Sequence, residues 1–269
     1  MSINQQSRQN KIVLITGAAS GIGLSIALAY ANLNFGVIIA DKDNIAGKNA
    51  LKKIKKTGSN AYFIQIDLSE SDAGSLMIQK ALDLTGRIDI LINNARSGIR
   101  GDIAEESEVN WDTTLAVCLK SPYFASQTVI PSMGKIGGGS IINIASTTAF
   151  RISKETPSYH AAKAALVHVT KYLATIGGAF GVRVNAVAPG FIVKNENFDR
   201  FESDSNTSYR EHANVCHPVG HVGRTKDVVN TVLYLSSFES SFVTGQTVIV
   251  DGGYTLKDPW NATWDIKNL

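Results

Sequence analysis

Tyr159 and Lys163 lie four residues apart in Tyr159-His160-Ala161-Ala162-Lys163, a spacing that puts both side chains on one helix face, a turn apart. A phenol is ordinarily a poor acid-base catalyst at neutral pH, but a neighbouring ammonium favours its anionic form. The pair therefore suits proton exchange with a substrate oxygen. Thirteen residues earlier, Ser146 follows the apolar run Ile141-Ile142-Asn143-Ile144, where its hydroxyl can hydrogen-bond the same oxygen as charge develops. A YxxxK spacing is common by chance, so its meaning depends on what surrounds it.

A second constellation reads as an anion cradle. Thr16-Gly17-Ala18-Ala19-Ser20-Gly21-Ile22-Gly23 joins a strand-like run to a helical one. Glycines there let backbone approach a pyrophosphate, and unpaired N–H groups with the helix dipole favour its negative charge. The spacing is GxxxGxG rather than GxGxxG, and tight turns need glycine in any case. About twenty residues further on, Asp41 ends an apolar run, where a carboxylate can accept hydrogen bonds from a ribose diol. It would also repel a 2′-phosphate, which favours NAD over NADP. The plainer explanation is a loop aspartate at a strand end, and Lys42 beside it can accommodate a phosphate. Asp67 fits beside an adenine amino group, and Asn93-Asn94-Ala95 fits against a nicotinamide ribose. Both residue types also favour turns for local reasons.

These residues sit at the ends of short aliphatic runs: Ile12 to Ile15, Gly36 to Ala40, Ala61 to Ile66, Ile88 to Ile92, Ser140 to Ile144, Val182 to Val187 and Thr247 to Val250. Such runs read as strands buried on both faces. Between them, helical spacing of apolar residues predicts helices over Ile22 to Leu33, Ala73 to Leu84, Trp111 to Val129, Tyr159 to Phe180 and Val228 to Leu235. The alternation predicts an α/β fold, doubly wound and Rossmann-like, with a mainly parallel seven-stranded sheet and helices on both faces. Ligands are expected at the carboxyl ends of its strands. Residues 191–222 are polar and lack clear periodicity; they read as a substrate-binding lobe. Residues 1–10 read as a flexible leader, 11–254 as one dinucleotide-binding catalytic domain, and 255–269 as a tail whose Trp260 and Trp264 dock on a surface.

Composition narrows the function class. The 269 residues are 44% hydrophobic, and 26 basic against 23 acidic residues leave +3. So small an imbalance argues against nucleic acid or an anionic membrane and favours a small-molecule substrate. The two cysteines, Cys118 and Cys216, build no disulfide framework, which suits a reducing cytoplasm. The irregular spacing of His212, His217 and His221 does not predict a metal site.

Taken together, these motifs resemble the short-chain dehydrogenase/reductase family, over Lys11 to about Tyr254. They are TGAASGIG at 16–23, Asp41, Asp67, NNA at 93–95, Ser146, YHAAK at 159–163, RVNAVAPG at 183–190 and DGG at 251–253. The resemblance implies hydride transfer between NAD(H) and an alcohol/carbonyl pair. Tyr159 would be the acid/base, Lys163 its partner and a ribose ligand, and Ser146 the group that orients the carbonyl. It also implies cofactor contacts from Gly17, Ser20, Gly21, Ile22, Gly23, Asp41, Asp67, Leu68, Asn94, Ala95, Pro189, Gly190 and Ile192, and a homotetramer or homodimer joined through Trp111 to Val129 and Tyr159 to Phe180.

Three positions depart from the family pattern. Cys118 stands where an Asn usually helps hold a water of the proton relay; it is either a weak substitute or a small buried apolar residue. Arg96 replaces a Gly after NNA, and it pairs with a substrate carboxylate or phosphate, meets the cofactor's phosphates, or faces solvent. Lys194 replaces a Thr that contacts cofactor, adding a cation near the pocket mouth or simply a solvated side chain. With Arg100 and Arg151, these cations make an acidic substrate plausible. His160, beside Tyr159, is expected to pack or face the surface. The competing readings are a reductase of carrier-bound oxoacyl groups, which Asp41 disfavours, and a dinucleotide-binding regulatory or scaffold protein with little catalysis.

Overall fold

The computed structural model describes residues 11–98 and 105–257. The expected leader, Arg100, Trp260 and Trp264 lie outside the described residues. The strands are β1 (Ile12–Thr16), β2 (Gly36–Asp41), β3 (Ala61–Gln65), β4 (Ile90–Asn93), β5 (Gly139–Ile144), β6 (Val182–Pro189), β7 (Ile192–Val193), β8 (Gly223–Arg224) and β9 (Thr247–Val250). All seven long apolar runs enter one sheet in the order β3-β2-β1-β4-β5-β6-β9, with every pairing parallel.

The helices are α1 (Gly21–Asn32), α2 (Asn44–Lys55), α3 (Ala73–Thr85), α4 (Glu108–Leu115), α5 (Ser121–Lys135), α6 (Pro157–Gly178), α7 (Phe198–Glu202), α8 (Thr207–Val215) and α9 (Thr225–Ser236). Because successive strand residues face opposite ways, Val13, Ile15, Val37 and Ile39 join a core with α1, α2 and α9. Leu14, Ile38, Leu91 and Ile141 join the other core with α3, α5 and α6. Each fully buried Ile or Leu contributes about 1.5–3 kcal/mol, so the two layers fix the sheet between them. The strand order reverses between β1 and β4, opening the crevice into which Gly17, Asp41, Asn94 and Ser146 follow their strands.

Three features depart from the sequence expectation. Helix α2 was not anticipated: its buried stripe is only Gly47, Ala50 and Ile54 in a lysine-rich segment, and Asp43 caps it through the N–H groups of Ile45 and Ala46, both at 2.9 Å. The helix expected over Trp111 to Val129 is continuous in path but contains a π turn, Ala116–Lys120, carrying the buried Cys118. Residues 191–222 are not an irregular loop. They fold into α7 and α8, while β7 pairs with β8 across their ends and Val193, Phe201, Ala213 and Val222 form a small core.

Buried amides tie β4 to β5 and α6. Asn93 Nδ2 donates to Asn143 Oδ1 at 2.8 Å, and Asn143 Nδ2 donates to Thr170 Oγ1 at 2.9 Å. Asn143→Leu strips a partner from both neighbours, so it should destabilise the fold by about 1–3 kcal/mol. Urea denaturation checks this; an unchanged midpoint would show that the amides find other partners.

Candidate active site

The glycine turn after β1 is a close-packed backbone crossing. Gly17 has φ +61°, and a Cβ there would lie 2.7 Å from Ala95 Cα. A Cβ on Gly23 would lie 2.3 Å from Gly17 O and 2.5 Å from Asn94 Nδ2. The turn is held from the adjacent strand: Asn94 Nδ2 donates to Thr16 O at 2.9 Å and Gly17 O at 3.0 Å. Thr16 Oγ1 accepts the backbone N–H groups of Asn94 and Ala95, each at 2.9 Å. At the start of α1, Leu24 N finds Ser20 O at 3.1 Å, and the Ser20 side chain makes no cap. The amides of Gly21, Ile22 and Gly23 precede that first in-helix bond, which leaves their donors for an anion.

Asp41 closes one end of this cradle. Its Oδ2 accepts Ala19 N at 3.0 Å and its Oδ1 accepts Asp43 N at 3.1 Å, which fixes the carboxylate beside the glycine turn. Lys42 Nζ comes within 4.0 Å of Asp67 Oδ2. The backbone N–H of Ser69, with help from its hydroxyl, holds the Asp67 carboxyl below its ordinary range. A cleft of about 760 Å³ runs from Asp41, Asp67 and Leu68, past Ile22, Asn94, Ala95, Pro189, Gly190 and Ile192, to Ser146, Tyr159 and Lys163. The glycine turn and the Asp41 carboxylate in its lining fit a dinucleotide.

The far end is built by β5 and α6. Pro157 occupies the first turn of α6 and Thr156 Oγ1 accepts Tyr159 N at 3.3 Å, so the helix begins just before the phenol. Lys163 is 2% exposed, and its Nζ donates to Ile144 O at 2.6 Å. That bond ties the lysine to the strand end that carries Ser146. Lys163 Nζ lies 5.5 Å from the Tyr159 ring centroid, and Ser146 lines the same cleft. Ser146 Oγ also accepts Thr148 N at 3.2 Å, which orients it at the strand end.

The departures from the family pattern occupy distinct places. The Arg96 guanidinium carbon stands 4.6 Å from the Tyr159 ring centroid, and Nη2 pairs with Glu155 Oε2 at 2.9 Å. Burial of Arg96 opposes its charge, but Tyr159 and Glu155 outweigh it and raise its pKa above the ordinary value. Lys194 lies along Gly21, where a Cβ would come within 3.2 Å of its Cδ and 3.5 Å of its Nζ. It therefore stands beside the cradle. His160 is engaged by Thr156 O at 2.8 Å and Ser153 N at 3.0 Å in shaping the α6 start. Arg151 stacks over Tyr254, 4.1 Å from its centroid, outside the cleft lining.

A family model described as enoyl-(acyl carrier protein) reductase matches residues 17–255. The chain is 34% identical to a 2-dehydro-3-deoxy-D-gluconate 5-dehydrogenase of Dickeya dadantii, over 96% of this chain and 100% of that enzyme. The chain is a short-chain dehydrogenase/reductase. Among solved members, a 3-oxoacyl (acyl-carrier-protein) reductase of Agrobacterium tumefaciens with NADP bound aligns with TM-score 0.84 and 29% identity, covering 92% of this chain and 95% of that one. An acetoin dehydrogenase of Enterobacter cloacae aligns with TM-score 0.83 and 30% identity, over 93% and 97%. As a short-chain dehydrogenase/reductase, the protein is an oxidoreductase that transfers hydride with a nicotinamide dinucleotide. Among its described residues, no helix is long and apolar enough to cross a membrane.

Glu155 is the site residue that sequence reasoning missed. Its charge, four positions before Tyr159, gave no signal of a partner 59 residues away in the chain. A single acidic residue next to Thr156-Pro157 reads as helix-start decoration until the fold brings Arg96 to it.

Proposed function

We propose that this short-chain dehydrogenase/reductase prefers NAD and interconverts an alcohol and a carbonyl on a small polar substrate, with Ser146, Tyr159 and Lys163 at the reaction centre. The observation that carries this reading is the anchoring of Lys163 Nζ to Ile144 O, at the strand end bearing Ser146 and on the cleft side of Tyr159. Ser146 is suited to hydrogen-bond the substrate oxygen, and Tyr159 to exchange a proton with it. Lys163 supplies positive charge beneath the phenol and donors for a ribose. A bound nicotinamide supplies or accepts the hydride.

The NAD preference rests on Asp41, which two backbone amides hold at the cradle while Lys42 faces Asp67. Gly17, Ser20 to Gly23, Asp67, Leu68, Asn94, Ala95, Pro189, Gly190 and Ile192 complete the cofactor contacts in this reading. The domain spans 11–254, with 191–222 as the substrate lobe. Trp111, Phe124, Tyr172 and Ile176 leave apolar surface exposed on α4, α5 and α6, which supports a homotetramer through these helices. Two free thiols suit a reducing cytoplasm.

The test is spectrophotometric turnover with NADH and NADPH against acetoin, a keto sugar acid and a carrier-bound oxoacyl group. Better turnover with NADPH, or with the carrier-bound group, would overturn the corresponding half of the reading.

Lys194 belongs to the cofactor in this reading rather than to an acidic substrate. Partly exposed ion pairs are worth about 1 kcal/mol at most, so Lys194→Met should weaken NADH and ADP-ribose binding about fivefold. Adenosine binding should not change. Equal weakening of adenosine, by fluorescence competition, would remove the pyrophosphate contact.

A further inference from the structure

Arg96, and not Lys163, is the cation closer to the catalytic ring: 4.6 Å against 5.5 Å to the Tyr159 centroid. The guanidinium is already engaged. Nη2 and Nη1 donate to Glu155 Oε2 and Oε1 at 2.9 and 3.4 Å, and Nε donates to the Ser97 carbonyl at 3.2 Å. A substrate carboxylate arriving at this fork would have to compete with Glu155 for it. What Arg96 does face directly is the phenol. A cation over an aromatic face is attracted to it, and the attraction grows when the ring carries a phenolate charge.

We propose that Arg96 is a positioning residue that stabilises the ionised form of Tyr159, with Glu155 both aiming the guanidinium and moderating its charge. The inference deepens the proposed function and rests on Tyr159 being its acid/base.

Among the described residues, the charged and titratable groups around the phenol divide by element. Lys163 comes from α6, Arg96 from the loop after β4, and Glu155 from the loop before α6. The π turn carries the buried thiol of Cys118. Glu106 and His160 are held by the α6 start: Glu106 Oε2 accepts Ser158 N at 3.0 Å, and His160 bonds Thr156 O and Ser153 N. Of these, Arg96 and Glu155 form an opposed couple whose removal should act in opposite directions.

The test follows ionisation of Tyr159 directly, by NMR of the NAD-loaded protein labelled with ¹³C at tyrosine Cζ, the resonance assigned by its loss in Tyr159→Phe. Arg96→Gln should raise the titration midpoint, and Glu155→Gln should lower it. Arg96→Lys should restore part of the shift. Movement in the same direction, or none, would overturn the proposal. If Arg96→Gln fails to fold, the downward shift in Glu155→Gln still decides it. An unmoved midpoint with weaker binding of a keto sugar acid would make Arg96 a substrate ligand instead. Absence of turnover would count against the proposed function alone, since the titration needs none.

Discussion

Replacing Tyr159 by Phe should lower turnover by about 10²–10⁴-fold, the usual contribution of a positioned acid/base group. The substitution removes one oxygen and leaves the ring that packs against Arg96 and Lys163. Cofactor affinity loses at most one hydrogen bond and should stay within about fivefold. Stability should change little, because the ring is buried on α6 and its volume is retained. The informative comparison is therefore between steady-state turnover and NADH binding measured on the same variant. A variant that keeps more than about a tenth of its turnover would remove Tyr159 from proton transfer. A variant that loses NADH binding as well would make the phenol chiefly a cofactor ligand. Lys163 offers a less clean test, since its ammonium is buried and tied to Ile144 O, and its loss would disturb the β5 end along with the chemistry.

The inner strands β1, β2, β4, β5 and β6 were legible because they are short runs of β-branched and aliphatic residues buried on both faces, and such runs have few other solutions. The edge strands β3 and β9 leave Tyr62, Gln65 and Ile249 exposed and were legible from residue type alone. The glycine turn was legible because its geometry admits no side chain: at Gly17 and Gly23 a Cβ would meet backbone or the Asn94 amide. Local patterns of this kind are written in adjacent residues. Helix α2 was obscured because a stripe of Gly47, Ala50 and Ile54 carries little apolar signal among lysines. The π turn around Cys118 is a local change of hydrogen-bond register inside an amphipathic helix, and residue type does not announce it. The order in 191–222 comes from Phe201, Ala213, Val193 and Val222 meeting across the segment, with no helical period long enough to detect beforehand. Arg96 stands out in the sequence as an unusual cation, yet its contacts with Glu155 and Tyr159 are brought within reach only by the fold. The same holds for Lys194: the turn after β7 lays its side chain over Gly21, and nothing in the local sequence specifies that direction.

Asp41→Ala is the second substitution with a large expected effect, because it acts on both cofactors with opposite sign. For NADH it removes charge-assisted hydrogen bonds to a ribose diol, about 1.5–3 kcal/mol. For NADPH it relieves repulsion between a partly exposed carboxylate and a 2′-phosphate, about 1 kcal/mol. The ratio of kcat/KM values for NADH over NADPH should then fall by about 10²-fold, most of it on the NADH side. An unchanged ratio would reduce Asp41 to a brace for the glycine turn, a role its bonds from Ala19 N and Asp43 N already allow. Asp41→Asn loses the charge and keeps only one of the two acceptors that take Ala19 N and Asp43 N, so a urea midpoint measured on the same variant shows how much of any loss is bracing rather than discrimination. Full inversion toward NADPH is not expected from either change. The neighbouring cation, Lys42, is largely exposed and shared with Asp67 at 4.0 Å, so it offers a 2′-phosphate about 1 kcal/mol at most.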